Sequence, residues 1–420
     1  MQEPIHLLTP VQPRYISQNN CTTSYSIGLC TCILPVDDCH LVSGHTNGWI
    51  VIWSVESHRP YRQWIGHANH QLISLHFWPS DNSNVIISHA RDGFIRFWDF
   101  SQFQVNDARL FDPLIQVFSE IRTYGVAFCN SSLWSASVNS QSGLHFLAHL
   151  CEEEKEDDAS KSVKELVIEV IQLPQFTFIC HQSIDGLQRF CKNISNLGMC
   201  MALQGVEKSF TEEKAHYLLL AGFESGHLIL LGDGLVLTIL DFPLGQSIPI
   251  MKVSIRPAAA VVLQQLCEEK TDLPPSNIRL VALGGPVVDT CDTKLSTDGS
   301  LAFIQLEFNV QLQNPYKLLK VKKIISDSNV GVSCFTWRDD GRLLAVGQWN
   351  GQIRLFQVQL KSSKLFKIKS LGYLTSVGGL NEGSLIGEWC ATTLNNSSGS
   401  NMNQDDKLIR SCTFTKGSDF

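Results

Sequence analysis

Short apolar runs separated by glycine-centred turns recur along this chain, and the fullest cycle lies between Gly66 and Asp99. Gly66-His67 is followed by Leu72-Ile73-Ser74-Leu75-His76-Phe77-Trp78 and by Pro79-Ser80-Asp81. Then come Val85-Ile86-Ile87-Ser88, a turn at Arg91-Asp92-Gly93, and Phe94-Ile95-Arg96-Phe97-Trp98-Asp99. Runs of this length, rich in β-branched and aromatic residues and bounded by turn formers, predict three successive strands. Asp92-Gly93 predicts a tight hairpin, because glycine supplies the positive φ that primed turns need.

The unit repeats. An X-Gly hairpin followed by an apolar strand occurs at Asn47-Gly48, Asp92-Gly93, Ser142-Gly143, Ser225-Gly226, Asp298-Gly299 and Asn350-Gly351, with glycines 45, 50, 83, 73 and 52 residues apart. A second signature precedes several of these turns: Gly28-Leu29-Cys30, Gly125-Val126-Ala127, Gly198-Met199-Cys200 and Gly331-Val332-Ser333-Cys334. Each opens an apolar stretch suited to a strand buried on both faces. Repeat units fall near residues 22–56, 66–100, 123–173, 195–235, 250–325 and 330–371. Val126–Cys129, Leu133–Val138 and Leu144–Leu150 are the predicted strands of the third. Tyr316–Lys323 reads as an outermost strand whose lysines discourage edge pairing.

The Gly66–Asp99 cycle resembles a WD40 repeat, one four-stranded blade of a β-propeller. The resemblance implies an all-β fold in a single domain of residues 1–420, with seven blades and degenerate middle ones. Residues 372–420 together with the N-terminal segment, including Ile5–Leu8 and Tyr15–Ile16, would supply the closing blade. It also implies that His67, Ser88, Asp92 and Trp98 form a buried hydrogen-bonded chain, a structural tetrad rather than a catalytic set. Ser43 and Trp53 take tetrad places in the first blade, with Asn47 where Asp92 sits in the second. Asn395–Asp406, rich in Asn, Ser, Gly and Asp, is expected to be a disordered loop.

Composition narrows the function. Of the 420 residues 44% are apolar and 17% charged, which fits a globular chain with a large buried fraction. The net charge of −7 argues against a nucleic-acid or anionic-membrane surface. The start lacks a basic region followed by an apolar run, so no secretory signal is expected, and no run suits a membrane span. Most of the 14 cysteines sit in apolar strand-like runs, which points to reduced thiols in a nuclear or cytosolic compartment rather than a disulfide framework. Cys21, Cys30, Cys32, Cys39 and His40 form the best metal candidate, but their spacing is not a zinc pattern. No G-x-S-x-G, H-E-x-x-H or P-loop occurs, and no nucleophile–base grouping stands out. The expectation is a chain without enzymatic activity, cofactor or resident metal.

Binding surfaces are the remaining possibility. The acidic insertion 152–158, opening with Glu152, Glu153 and Glu154, is predicted as a solvated loop after the third strand of blade three. Glu207–Lys214 and Glu268–Asp272 would share its face and form an acidic rim able to steer a basic partner. Hairpin tips would bring Trp49, Arg91 and Trp349 near the surface together with His45 and Glu224, and an exposed Trp or Arg serves as an interface anchor.

A more specific resemblance rests on Leu41-Val42-Ser43-Gly44-His45-Thr46-Asn47-Gly48-Trp49-Ile50-Val51-Ile52-Trp53 with Arg59-Pro60. Cys334-Phe335-Thr336-Trp337 and Val346-Gly347-Gln348-Trp349-Asn350-Gly351-Gln352-Ile353-Arg354 add to it. With these the chain is similar to the fungal ASTRA-associated protein 1 family, related to animal G-protein-β-like WD proteins. That resemblance implies a nuclear, non-enzymatic scaffold subunit of the ASTRA assembly. It would be linked to chromatin regulation and to the TTT co-chaperone that matures phosphatidylinositol-3-kinase-related kinases, with helical-repeat proteins as partners. The alternatives are another WD40 adaptor, either a ubiquitin-ligase substrate receptor or a Gβ-like signalling scaffold.

Overall fold

The computed structural model describes residues 14–16, 22–24, 27–79, 84–99, 117–126, 128–138, 141–156, 162–191, 196–206, 208–209, 217–245, 248–257, 278–286, 300–308, 318–327, 330–361, 365–375, 389–391 and 412–414. Strands β1 (Arg14–Ile16) and β2 (Thr22–Ser24) pair with each other. Blade one follows as β3 (Cys30–Pro35), β4 (His40–His45), β5 (Trp49–Ser54) and β6 (Arg59–Ile65), hydrogen-bonded in chain order. Blade two is β7 (Leu72–Pro79), β8 (Asn84–Ala90), β9 (Phe94–Asp99) and β10 (Val117–Arg122). Blade three is β11 (Ser132–Val138), β12 (Gln141–Glu156), β13 (Ser162–Leu173) and β14 (Thr177–Ser183), and the short helix α1 (Ile184–Gln188) follows it.

Blade four begins with β15 (Cys200–Val206). The two-residue β16 (Lys208–Ser209) then adds parallel to β11 on blade three. Blade four continues as β17 (Leu218–Phe223), β18 (Leu228–Gly232) and β19 (Leu235–Leu240). Blade five is β20 (Lys252–Ile255), β21 (Ile278–Gly284), β22 (Leu301–Phe308) and β23 (Leu318–Asp327). Blade six is β24 (Val332–Trp337), β25 (Leu343–Gln348), β26 (Gln352–Lys361) and β27 (Leu365–Thr375). Finally β28 (Trp389–Ala391) pairs with β29 (Cys412–Phe414).

Among the described residues the fold is all-β apart from the short helix α1, with six blades of propeller type rather than the expected seven. The segments assigned to a closing blade form two separate three-residue pairs, β1–β2 and β28–β29, instead of one four-stranded sheet. Two expectations for blade three also change. Residues 128 and 129, expected in its first strand, are not in a strand, and Ser142-Gly143 lies inside β12 instead of at a turn. The pairing Val138↔Gln141 puts the reversal just before that strand. Ile5–Leu8, Glu268–Asp272, Asp298-Gly299 and Asn395–Asp406 lie outside the described residues, as does Glu207–Lys214 apart from 208–209.

The recurring turn has one chemistry. Gly48, Gly93, Gly226 and Gly351 take φ of +81°, +83°, +86° and +80°, and each N–H returns to the carbonyl three residues earlier. Asn47 and Asp92 keep negative φ, so these are ordinary turns closed by a left-handed glycine, not primed two-residue turns. A primed turn occurs elsewhere: Asp233 (φ +52°) and Gly234 (φ +76°) join β18 to β19.

Contacts divide the chain into two compact units, Met1–Val126 with Leu385–Asp406 and Arg410–Phe420, and Ala127–Ser384 with Lys407–Ile409. In the first, blades one and two share a core of Val42, Ile50, Ile52, Trp64, Leu72, Ile86 and Trp98. Trp64 and Trp98 meet edge to face at 5.7 Å. In the second, Leu220, Leu230, Ile250, Val281 and Ile304 join blades four and five. Blades five and six are joined by Ala282, Phe303, Leu344 and Phe356. Each large apolar side chain buried this way contributes about 1.5–3 kcal/mol. Blades three and four approach closely enough that a Cβ on Gly205 would lie 2.0 Å from Trp134.

Candidate functional site

The hairpin turn of blade two brings four predicted residues together. His67 Nδ1 lies 2.8 Å from Asp92 Oδ2, His67 Nε2 lies 2.7 Å from Ser88 Oγ, and Trp98 Nε1 donates to Ser88 Oγ at 2.8 Å. One tautomer serves the chain from Asp92 to Trp98, and Arg96 Nη1 also comes within 2.6 Å of His67 Nδ1. Nδ1–H donates to Asp92, the Ser88 hydroxyl donates to Nε2, and the indole donates to Ser88. Asp92 also accepts from Phe94 N at 3.1 Å and from Arg96 Nη1 at 2.6 Å. His67 and Ser88 are fully buried.

Electrostatics follow from that enclosure. Burial pushes the Asp92 carboxyl up, but hydrogen bonds and charge from His67 and Arg96 outweigh it and bring it down to about 2. Burial pushes His67 down, and although Asp92 opposes this, the imidazole stays below its ordinary value. The site thus holds a neutral imidazole against a carboxylate and a guanidinium. The imidazole is sealed from solvent, so no substrate can reach it.

Arg96 completes the site without any signal in the repeat pattern. It projects from β9 two residues before Trp98 and reaches Asp92, Gly66 O at 3.1 Å and Glu120 at 3.4 Å. Blade one builds a similar chain from different residues. Trp53 Nε1 donates to Ser43 Oγ at 2.7 Å, and Ser43 Oγ lies 2.9 Å from His45 Nε2. The histidine comes from β4 itself, is buried instead of lying at the surface as expected, and ends near the Gly28 carbonyl at 3.4 Å, not on a carboxylate. Burial drives His45 down to about 4 against that carbonyl's opposing pull. In blade four, Ser225 Oγ meets His227 Nδ1 at 2.9 Å.

The predicted surface residues separate. Trp49 is 2% exposed and packs with Ile27, Leu41, Val51 and Trp53, so it is a core residue and not an anchor for a partner. A side chain immediately after the turn points inward here because β5 is buried along nearly its whole length. Arg91 is half-buried, and Trp349 is half-buried with its indole against Gly331, where a Cβ would lie 2.5 Å away. Glu152, Glu153 and Glu154 are on β12, not in a loop: the strand runs on to Glu156 and pairs with β13 throughout.

Around those glutamates lies a group of ionisable residues that sequence reasoning misses. His149, Glu169 and His181 stand directly opposite one another across β12, β13 and β14. His181 lies 3.0 Å from Glu153 and 3.2 Å from Glu169, and His149 Nε2 is 3.4 Å from Glu169. Burial pulls His181 down, yet the two carboxylates prevail and hold it above the ordinary imidazole value. Lys164 reaches Glu152 at 2.8 Å. The one signal that could have found this group is the register of β13 and β14, which single-sequence periodicity does not supply.

Among the described residues, no group of three or more His, Cys, Asp or Glu could hold a metal ion. Cys30 is half-buried, Cys32 buried and Cys39 exposed, and none of the three is in a disulfide; Cys21 lies outside the described residues. No helix among the described residues is long and apolar enough to cross a membrane.

Residues 319–357, running from β23 into β26, match the family described as WD domain, G-beta repeat. Part of the chain is similar to proteins named ASTRA-associated protein 1. With that of Scheffersomyces stipitis it shares 34% identity over 61 residues, covering 14% of this chain and 13% of the relative. With that of Penicillium rubens it shares 27% identity over 94 residues, covering 22% and 20%. The aligned stretches thus span a fifth or less of these relatives. Among solved structures, the β-propeller domain of Myceliophteria thermophila Cps50 (Swd1) superposes with a TM-score of 0.45 at 14% identity, over 85% of this chain and 88% of that one.

Proposed function

We propose that this chain is a non-enzymatic interaction subunit of an ASTRA-type assembly, acting in the nucleus. The observation that supports the reading is its similarity to several proteins named ASTRA-associated protein 1. Its most conspicuous polar groups, moreover, are internal joints sealed from any substrate. Blades suit such work because ordered sheets carry binding loops with little ordering cost on association. On this reading the partners are helical-repeat subunits of ASTRA and of the TTT co-chaperone, the client process is maturation of phosphatidylinositol-3-kinase-related kinases, and chromatin regulation is the setting. Arg91, Trp349 and the Glu152–Glu154 strand are the candidate contact points. Affinity purification of the tagged full chain with mass spectrometry tests it. Recovery of ASTRA and TTT subunits is the expected result, whereas recovery of ubiquitin-ligase adaptors or Gγ-like subunits would overturn it.

A further inference from the structure

In blade three an interior strand outruns its inner neighbour further than in any other described blade. β11 pairs with β12 from Val138↔Gln141 only as far as Ser132↔Ala148, whereas β12 stays paired with β13 up to Glu156↔Ser162. On the opposite side β14 follows β13 only to Val167↔Ser183. Beyond these limits β12 and β13 continue as a two-stranded ribbon. Among the described residues no strand pairs with the β11 side of β12 from Cys151 to Glu156, which leaves that edge of the ladder without a described neighbour. A long regular edge is a template for another strand. The usual defences against this are bulges, prolines and charged side chains. The β12–β13 register runs without a shift, and no proline falls between His149 and Glu156.

Charge decides what can use that edge. Strand side chains alternate, so Glu152 and Glu154 occupy one face of the ribbon and Glu153 the other. Glu153 stands directly opposite Glu165, and His181, 3.0 Å from Glu153, already offsets part of its charge. Lys164 stands opposite Glu154 but reaches diagonally to Glu152, and Glu154 is exposed with no ion-pair partner among the described side chains. An added neutral or acidic strand would leave the face of Glu152 and Glu154 with Lys164 as its one described cation, whereas a basic strand would offset both carboxylates there.

We propose that the β12 edge from Cys151 to Glu156 accepts a lysine- or arginine-rich extended segment of a partner protein as an added β-strand. This rests on the reading of the chain as an interaction subunit and names the chemistry of one of its partners. The edge supplies affinity through main-chain hydrogen bonds, and the carboxylates select a cationic segment.

The full-length protein is titrated with a synthetic peptide alternating lysine with valine and threonine, followed by fluorescence anisotropy and by hydrogen exchange with mass spectrometry. Two control peptides are N-methylated at alternate amides or carry glutamate for lysine. Binding of the lysine peptide should slow exchange across 151–156, N-methylation should abolish binding, and the glutamate peptide should not bind. The Glu152→Gln/Glu154→Gln variant should bind about fivefold more weakly at unchanged thermal stability. Equal binding of the N-methylated peptide, unchanged exchange at 151–156 or no binding of the lysine peptide would each overturn the proposal. Affinity purification separates the two ideas: ASTRA subunits recovered with an inert edge refute only the edge, and a working edge without those subunits refutes only the assembly.

Discussion

Replacing Asp92 with alanine strands the buried imidazole of His67 beside a cavity with no acceptor for its Nδ1–H. Two routes give the size of the effect. A buried donor left unsatisfied costs about 1–3 kcal/mol. Independently, lowering a carboxyl with only 11% of its side chain exposed from 3.8 to about 2 corresponds to roughly 2–3 kcal/mol of stabilisation. Both describe the same bonds, so they do not add, and the expected loss is about 2–3 kcal/mol. Asp92→Asn keeps an acceptor but loses the charge that Arg96 uses, and should cost less. Urea unfolding followed by tryptophan fluorescence measures both. The folded carboxyl titrates below the unfolded one, so its contribution is complete above about pH 4 and lost as pH falls through about 2. The Asp92→Ala penalty should therefore be flat from pH 5 to 8. A variant that unfolds like the parent protein but no longer binds its partners would refute the structural role. So would a penalty that disappears between pH 7 and 5.

Further outcomes follow from the same geometry. His45, held near 4 by burial, stays neutral in the fold while the unfolded chain protonates near 6.5, so stability should fall between pH 6.5 and 4 by up to roughly 3 kcal/mol. NMR titration should find His45 titrating near 4 and His181 above its ordinary value, and Glu153→Gln should lower the latter. Gly48→Ala must place a Cβ 1.5 Å from the His67 carbonyl oxygen at φ +81° and should cost about 3 kcal/mol or more. Gly234→Ala meets nothing within 4 Å, so only the left-handed backbone penalty of about 1 kcal/mol should appear. Calorimetry of the two variants side by side checks that ordering.

Much of the fold was legible because local chemistry repeats. Asn47-Gly48, Asp92-Gly93, Ser225-Gly226 and Asn350-Gly351 all mark turns in the structure, and the lysine-bearing segment after Pro315 is the outer strand β23. Asp233-Gly234 is an equally plain turn signal, but it lies off the repeat and a search for the repeat passes over it. Trp49 is misplaced by sequence reasoning because a turn-proximal position says nothing about what packs over it. His45 escapes as a tetrad member because the pattern places that histidine before the first strand, whereas here it occupies the end of the second. The acidic run at 152–158 looks like a loop because strand propensity there is poor. Its pairing with Val163, Leu166 and Val167 holds the near part in β12.

The sequence by itself determined the strand period, the turn positions and the identity of the groups in the blade-two chain, since each is written within one repeat. Tertiary structure decided the rest. Blade number depends on whether distant ends pair, and their described residues form two separate short ladders. Burial of Trp49 depends on Ile27 and Leu41 closing over it. The edge of β12 has no described strand beside it because β11 stops pairing at Ala148 while β13 continues, a difference in register between two partners. Local pattern fixes which residues form a strand; only the neighbours determine which of its edges and faces are left open.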